Sequence, residues 1–261
     1  GMDSRLTLIC DVLVSIFSPR GIVERNESPL RSLEEIPARK GILRGTVEPT
    51  IIELHDLKFR IDLLEGQKTG FFLDQRENRT ALRPFAKDAT VLDCFCNEGG
   101  FGLYAAHYGS KSVSGVDSSE FAIEKSKVNA TLNNLRNISF HCADVFETLS
   151  SEIKQNRKYD IVVLDPPSFT KNKKTVATAT KGYKELNTNA LKIINSGGVL
   201  ATASCSHHIS EETFLNIIND SAVKAGRKIR LLEFGGAGPD HPVLPSMPET
   251  KYLKFALIGV E

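Results

Sequence analysis

Four aspartates set the chemistry this chain could do. Asp93, Asp117, Asp144 and Asp165 each follow a short apolar run, and each run reads as a buried parallel strand. In an open α/β sheet, ligands bind outside the carboxyl ends of the strands where strand order reverses, so these acids would share one edge of the sheet. Behind the first of them, the stretch from Thr90 to Gly102 carries Gly99, Gly100 and Gly102, which let the backbone turn sharply and approach a ligand before a helix begins. Any one aspartate could merely cap the helix that follows it. Four of them with a glycine turn point to a nucleotide-like ligand.

Charge narrows the ligand. A dinucleotide turn needs Gly-x-Gly-x-x-Gly because pyrophosphate must touch the backbone, and here the turn is Cys94-x-Cys96-x-x-Gly99 with Glu98 inside it. A carboxylate there repels pyrophosphate. A cofactor without phosphate, but with a ribose diol, an adenine amine and a cationic centre, suits a ring of acids, and S-adenosylmethionine is that cofactor. Asp117, 18 residues beyond Gly99, is placed to accept both ribose hydroxyls, and Asp144 to accept from the adenine amine. Asp93, Phe95 and Gly99 in the turn, Ser118 beside Asp117 and Val145 beside Asp144 are the further expected cofactor contacts.

Two other groups concern the acceptor. In Asp165-Pro166-Pro167-Ser168-Phe169 the prolines fix the backbone beyond a strand, so that its carbonyls and the aspartate project towards a planar substrate, and an aromatic such as Phe169 can stack on an extruded base. A proline pair also serves as a simple chain reversal. Cys205, just past a later strand, falls beside the rim where Asp165 opens. A lone cysteine is commonly a small buried hydrophobe; a base-sized pocket next to it makes it a candidate nucleophile. His207 and His208 read as surface or packing residues.

These residues must be held by an α/β architecture. After Thr90, strand and helix alternate regularly, which predicts a doubly wound parallel sheet. Its strands are read at Thr90 onward, Ser112–Val116, Ile138–Cys142, Tyr159–Leu164 and Val199–Ala203, with two more at Lys228–Phe234 and Tyr252–Val260. A helix capped at Ser118 or Ser119 is expected to align Phe121, Val128, Leu132 and Leu135 on one face, and one opening at Ser210 to carry Phe214, Ile217 and Ile218 inward. Upstream, a helix from Leu6 to Phe17, a short helix entered through Ser28-Pro29, and paired strands at Ile51–Leu54 and Leu57–Leu63 form a small α+β unit over residues 1–66. Residues 67–84 join it to the large part, 85–261.

Composition excludes several classes. At 261 residues and 41% apolar the chain can bury a sizeable core, while a net charge of +1 gives no global basic field, so a nucleic-acid partner would be held by local patches. The most apolar early stretch, Leu6 to Phe17, is interrupted by Asp11 and too short to span a bilayer, so no membrane role is expected. Five cysteines form no disulfide-like framework, and Cys94-x-Cys96 lacks the spacing of a zinc site; a reducing cytoplasm and no metal are expected.

Read together, these residues resemble the class I methyltransferases, and more narrowly the bacterial family of single-cysteine large-subunit ribosomal RNA cytosine-5 methyltransferases. The segments from Thr69 to Arg79, Asp165 to Phe169, Gly182-Tyr183-Lys184-Glu185-Leu186-Asn187, Ser204-Cys205-Ser206 and Asp240 to Pro245 carry the resemblance, which covers nearly the whole chain. It implies a seven-stranded Rossmann-like methyltransferase sheet and RNA as partner, and it implies that Phe71 to Arg76 line the methionine end of the cofactor, with Phe72 and Asp74 in contact and Arg76 on the carboxylate. It implies Cys205 as the thiolate that adds to carbon 6 of cytosine and Asp165 as the acid at ring nitrogen 3, with Pro166, Pro167, Phe169 and Lys171 around the base. Lys171, Lys173, Lys174, Lys181 and Lys184, with Arg76, Arg79 and Arg83, form a charge run of the kind that is usually a solvated face and that beside the cofactor mouth could hold phosphates. Two departures stand out: such proteins usually begin with an RNA-binding domain of the PUA type, which this chain does not carry ahead of its small unit, and two-cysteine relatives have cysteine where this chain has Ser168. A homodimer is compatible with the sequence. The competing readings are an amino-methyltransferase on another base or on protein, a non-catalytic RNA-binding homologue, and an oxidoreductase, the last disfavoured by Glu98.

Overall fold

A computed structural model describes residues 1–66, 70–170 and 173–261, and the chain divides into two compact units, Gly1–Glu53 with Phe59–Phe72, and Leu54–Lys58 with Leu73–Glu261. The first unit opens with helix α1 (Leu6–Phe17), which ends on Ser18 in the left-handed conformation. Strand β1 (Gly21–Asn26) pairs antiparallel with β2 (Arg39–Gly45), a strand whose mix of charge and glycine hid it in the sequence. Between them Ser28 caps a 3-10 helix, Pro29–Glu34, its hydroxyl accepting from the Leu30 amide, as the Ser-Pro pair predicts. Strands β3 (Thr50–Leu54) and β4 (Leu57–Ile61) form a hairpin whose two turn residues, His55 and Asp56, both have positive φ, the geometry that matches strand twist in a two-residue loop.

The second unit is built on a seven-stranded sheet. Short helices α2 (Arg76–Thr80) and α3 (Arg83–Ala86) lead into β5 (Thr90–Cys94), followed by α4 (Gly100–His107), β6 (Ser112–Asp117), α5 (Glu120–Leu132), β7 (Ile138–Cys142), α6 (Val145–Lys154), β8 (Tyr159–Leu164), α7 (Val176–Ile193), β9 (Ile194–Ser204), α8 (Glu211–Ala225), β10 (Ile229–Gly235) and β11 (Lys254–Val260). The order across the sheet is β10-β11-β9-β8-β5-β6-β7. Strands β7, β6, β5, β8 and β9 are mutually parallel. The sheet is not wholly parallel as expected: β11 runs antiparallel to both β9 and β10, because the chain inserts its last strand between them.

Alternation along the strands divides the core in two. Leu92, Cys94, Val162 and Leu164 face α6, α7 and α8, while Val91, Ile161, Val163 and Ala201 face α4 and the Leu82–Ala86 segment. The expected face of α5 is corrected. Phe121 and Val128 are exposed, and Ala122, Ile123, Ser126, Asn129 and Ala130 are the buried residues. Small side chains let the helix lie close to the sheet, and buried Asn129 donates from Nδ2 to the Glu98 carbonyl at 3.1 Å. Phe121 is instead covered by the Lys125 ammonium, 4.6 Å above its ring. The Ser210 cap on α8 and its inward Phe214, Ile217 and Ile218 are as read.

Candidate active site

Strand order reverses between β5 and β8, and the candidate site is built where these two strands end. Asp93 is the fourth residue of β5 and faces Val163 in register on β8; its neighbour Cys94 receives the Asp165 amide at 3.4 Å, so pairing continues to the first residue past β8. Asp117 ends β6 and Asp144 lies just after β7. All four acids therefore stand at the carboxyl edge.

Their partners differ. Asp93 is buried and accepts the Gly102 amide at 2.7 Å, so it does cap α4 in addition to facing the switch point. Burial, chiefly, pushes its carboxyl up to about 7, and the Asp165 charge adds to this while the Gly102 amide and Arg79 oppose it. Asp144 is the N-cap of α6, accepting from the Glu147 amide at 2.9 Å, and is exposed. Asp117 accepts one amide on each oxygen, from Asn97 and from Ser119, both at 2.9 Å. Each of its oxygens keeps a lone pair, and the side chain is partly exposed, which fits a carboxylate that must accept two further hydrogen bonds from a diol.

The β5–α4 turn is made by an unexpected set of residues. Phe95, Asn97 and Gly99 all adopt positive φ, at 61°, 47° and 87°. Only glycine does this without strain, and a bulky residue such as Phe95 is held there by its surroundings. Sequence reasoning looked to the glycines for the turn and missed Phe95 and Asn97 as its left-handed positions. Glu98 also differs from expectation: it is buried, with its carboxylate on Lys125 Nζ at 3.0 Å, so the turn presents no unneutralised acid. Discrimination against pyrophosphate then falls to the aspartates and to the non-glycine turn. Ser118 is exposed beside Asp117, while the Val145 side chain lies in the core, leaving its main chain at the first position of α6 as the group it can offer.

The segment from Leu73 to Arg79 supports Asp165 from the side. Gln75 Nε2 donates to Asp165 Oδ1 at 2.8 Å, and Asn78 Nδ2 donates to Gln75 Oε1 at 2.6 Å and to the Gly236 carbonyl at 2.9 Å. Gln75 and Asn78 are functional candidates that the sequence reading did not single out, although both fall within the motif it quoted. Asp74 is buried and accepts the Tyr252 hydroxyl at 2.5 Å. Arg76 pairs with Asp240 at 2.9 Å and Glu77 at 3.0 Å. Phe72 is the last residue of the first unit.

Arg79 corrects one expectation. Instead of a surface cation for phosphates it is a buried guanidinium, 4% exposed, acted on by the charges of Asp165, Asp74 and Asp93; burial alone pushes its pKa down. It lies so close to Gly100 that a Cβ there would sit 2.7 Å from its Nε. Of the other basic groups, Arg83 is exposed and covers the Tyr108 ring, Lys184 pairs with Asp220, and Lys171 lies outside the described residues.

The acceptor side is fastened across β8 and β9. Ser168 Oγ is 3.0 Å from Ser206 Oγ, which in turn is 3.0 Å from the Tyr183 hydroxyl, and Ser204 Oγ donates to that same phenol at 3.0 Å. Cys205, half-buried and not in a disulfide, is thereby held between two anchored serines, next to the segment that begins with Asp165. Pro166 is buried and Pro167 exposed. Phe169 packs its ring on Tyr183, 4.8 Å between centroids, and near Phe146 at 6.4 Å, so it is set in an aromatic group and not free-standing. His207 is exposed, with its ring 5.5 Å from Tyr252.

A mixed sheet with one reversed strand, a strained turn after its central strand and acids at successive strand ends define an S-adenosylmethionine-dependent methyltransferase of the Rossmann-like class. The chain belongs to the S-adenosylmethionine-dependent methyltransferase family, whose model matches residues 43–253. Among curated proteins it is similar to "Ribosomal RNA large subunit methyltransferase I" of Tolumonas auensis, 41% identical over 96% of this chain and 64% of that protein, and to the protein of the same name from Aeromonas salmonicida, 38% identical over 99% of this chain and 66% of that one. The chain thus spans just under two thirds of these relatives. Among solved structures it resembles the methyltransferase SMU.776 in complex with SAH, with 26% identity, a TM-score of 0.76 and coverage of 84% of this chain and 58% of that one. The tRNA m1G37 methyltransferase of M. jannaschii shares the fold, at 18% identity and a TM-score of 0.66, over 96% of this chain and 66% of that one. Among the described residues no helix is long and apolar enough to cross a membrane.

Proposed function

We propose that this chain is the catalytic portion of a methyltransferase that forms 5-methylcytosine in ribosomal RNA, with Cys205 as covalent nucleophile. The observation that carries the reading is the bond between Ser168 and Ser206 at 3.0 Å, which keeps the Asp165 segment and the Cys205 segment together at one rim. The names of the curated relatives support a ribosomal RNA substrate. When bound, S-adenosylmethionine supplies a methyl group as an electrophile. Asp117, Asp144 and Val145 would hold its nucleoside, the Phe95–Gly99 turn and Ser118 would border it, and Asp93, Asp74 and Arg76 would face its amino-acid end.

Carbon 5 of cytosine is a poor nucleophile, and the chain's residues must make it a better one. Cys205 Sγ bonds to carbon 6, and the electron pair of the 5,6 double bond moves towards carbon 5. Asp165, held by the Gln75 amide, protonates or hydrogen-bonds ring nitrogen 3 and so draws charge into the ring. After carbon 5 is methylated, its proton leaves to a base, the double bond re-forms and the sulfur–carbon bond breaks. Pro166, Pro167, Phe169 and Lys171 would border the base.

The test is incubation of ribosomal RNA with the protein and isotopically labelled cofactor, followed by mass spectrometry of the nucleosides. Label in 5-methylcytidine is expected. Label on an exocyclic amine overturns the reading in favour of an amino-methyltransferase, and no transfer despite cofactor binding favours a non-catalytic RNA-binding homologue.

A further inference from the structure

Lys254 opens β11 with only 2% of its surface exposed, and its ammonium donates to two main-chain carbonyls, Ser206 at 2.6 Å and Tyr252 at 2.7 Å. No carboxylate lies within ion-pair distance of it among the described residues. A buried ammonium without an anion is costly, and burial pushes this one down to about 8. Two acidic side chains oppose that effect, Cys205 first and Glu211 second. Glu211 is largely committed elsewhere, pairing with Lys251 at 2.9 Å on the surface.

Register brings the lysine to the nucleophile's loop from both sides. Lys254 is the cross-strand partner of Ser204, the residue before Cys205, and its ammonium is bonded to the carbonyl of Ser206, the residue after it. The cysteine also acts on Tyr183 from α7 and Tyr252 before β11; burial, chiefly, raises both phenols, so both are neutral at pH 7. Asp74 lies behind the Tyr252 hydroxyl, and His207 beside the Tyr252 ring.

We infer that Lys254 is a positioning residue for the nucleophile: its ammonium pins the Ser204–Ser206 loop and is the counter-charge that lets the Cys205 thiol release its proton to solvent and persist as thiolate. The inference rests on the proposed role of Cys205. It explains why a lysine occupies a buried strand position with its ammonium bonded to main-chain carbonyls. A thiolate then offsets its charge, and each ion makes the other less costly.

The test reads the thiol directly, without RNA or cofactor. The full chain is alkylated with iodoacetamide across pH 5.5–10, in steps of about half a unit around the ordinary thiol range, and the Cys205 peptide is quantified by mass spectrometry, with exposed Cys142 as internal reference. In the unmodified chain Cys205 should reach half-maximal rate at least about one pH unit below Cys142, the size of a neighbouring-charge effect. Lys254→Met should move the Cys205 midpoint up to that of Cys142 or above, and Lys254→Arg should restore most of the difference. If Lys254→Met does not fold, as judged by circular dichroism, the unmodified chain and Lys254→Arg decide: a Cys205 midpoint at or above that of Cys142 overturns the inference. A folded Lys254→Met protein with an unchanged midpoint overturns it too. Failure of the proposed function is separate: Cys205→Ala that still methylates cytosine removes the nucleophile role even where the midpoint depends on Lys254.

Discussion

Replacing Asp93 by asparagine removes a buried charge while keeping an acceptor for the Gly102 amide, now 2.7 Å from the carboxylate. The folded-state carboxyl titrates at about 7, against an ordinary 3.8. The folded chain therefore holds a proton that the unfolded chain has lost between about pH 4 and 7, so this group's contribution to stability is most favourable below that window and declines as pH rises through it. A difference of about three units corresponds to roughly 4 kcal/mol of folding free energy forgone at pH 8.5. The attraction of the buried Arg79 guanidinium is already contained in that titration, since it opposes the upward shift. Urea unfolding at pH 5 and pH 8.5 measures it: the stability of Asp93→Asn relative to the parent chain should be higher at pH 8.5 than at pH 5 by roughly 3 kcal/mol. On the proposed role of Asp93 at the cofactor, the same variant should bind S-adenosylmethionine more weakly, since it lacks the charge opposite a cationic ligand. A variant that loses more stability at pH 8.5 than at pH 5 refutes the reasoning, because the Asp93–Arg79 attraction would then outweigh burial.

Gly100→Ala should cost about 1–3 kcal/mol in urea unfolding, because its Cβ would meet the buried Arg79 guanidinium at 2.7 Å and force it to shift. Gln75→Leu removes the amide that holds Asp165 and leaves Asn78 with one acceptor fewer. Methyl transfer should fall about tenfold or more, while cofactor affinity measured by calorimetry changes less than about threefold, a change worth under 1 kcal/mol; an affinity loss equal to the rate loss would assign Gln75 to cofactor binding instead.

The strand ends were legible because apolar runs closed by aspartate are a local pattern, and β5 to β8 fall where that pattern puts them. Fold class followed from the alternation of strand and helix. What was not legible depended on contacts far apart in the chain. The buried face of α5 is made of Ala122, Ile123, Ser126 and Asn129, and periodicity of large apolar residues selected the opposite side. Left-handed Phe95 carries no marker, since its conformation is not one its residue type favours, whereas Asn97 is of a type that tolerates it. Gln75 and Asp165 are 90 residues apart, and only the fold shows that one holds the other. Arg79 reads as a surface base until α2 turns it into a cluster of acids. Lys254, at a strand start, looks like a solvated cation, and its burial comes from the insertion of β11 between β9 and β10.

The covalent step is the centre of the proposed chemistry, and a trapped adduct tests it most directly. RNA in which cytosine carries fluorine at carbon 5 cannot lose a proton there, so the sulfur–carbon bond, once formed and followed by methylation, cannot break. With S-adenosylmethionine present, the protein should form a complex with such RNA that survives denaturing electrophoresis, its mass should include one methyl group, and peptide mapping should place the link on Cys205; Cys205→Ala should form none. A complex of the same yield from Cys205→Ala, or a link mapped to another residue, contradicts the assignment.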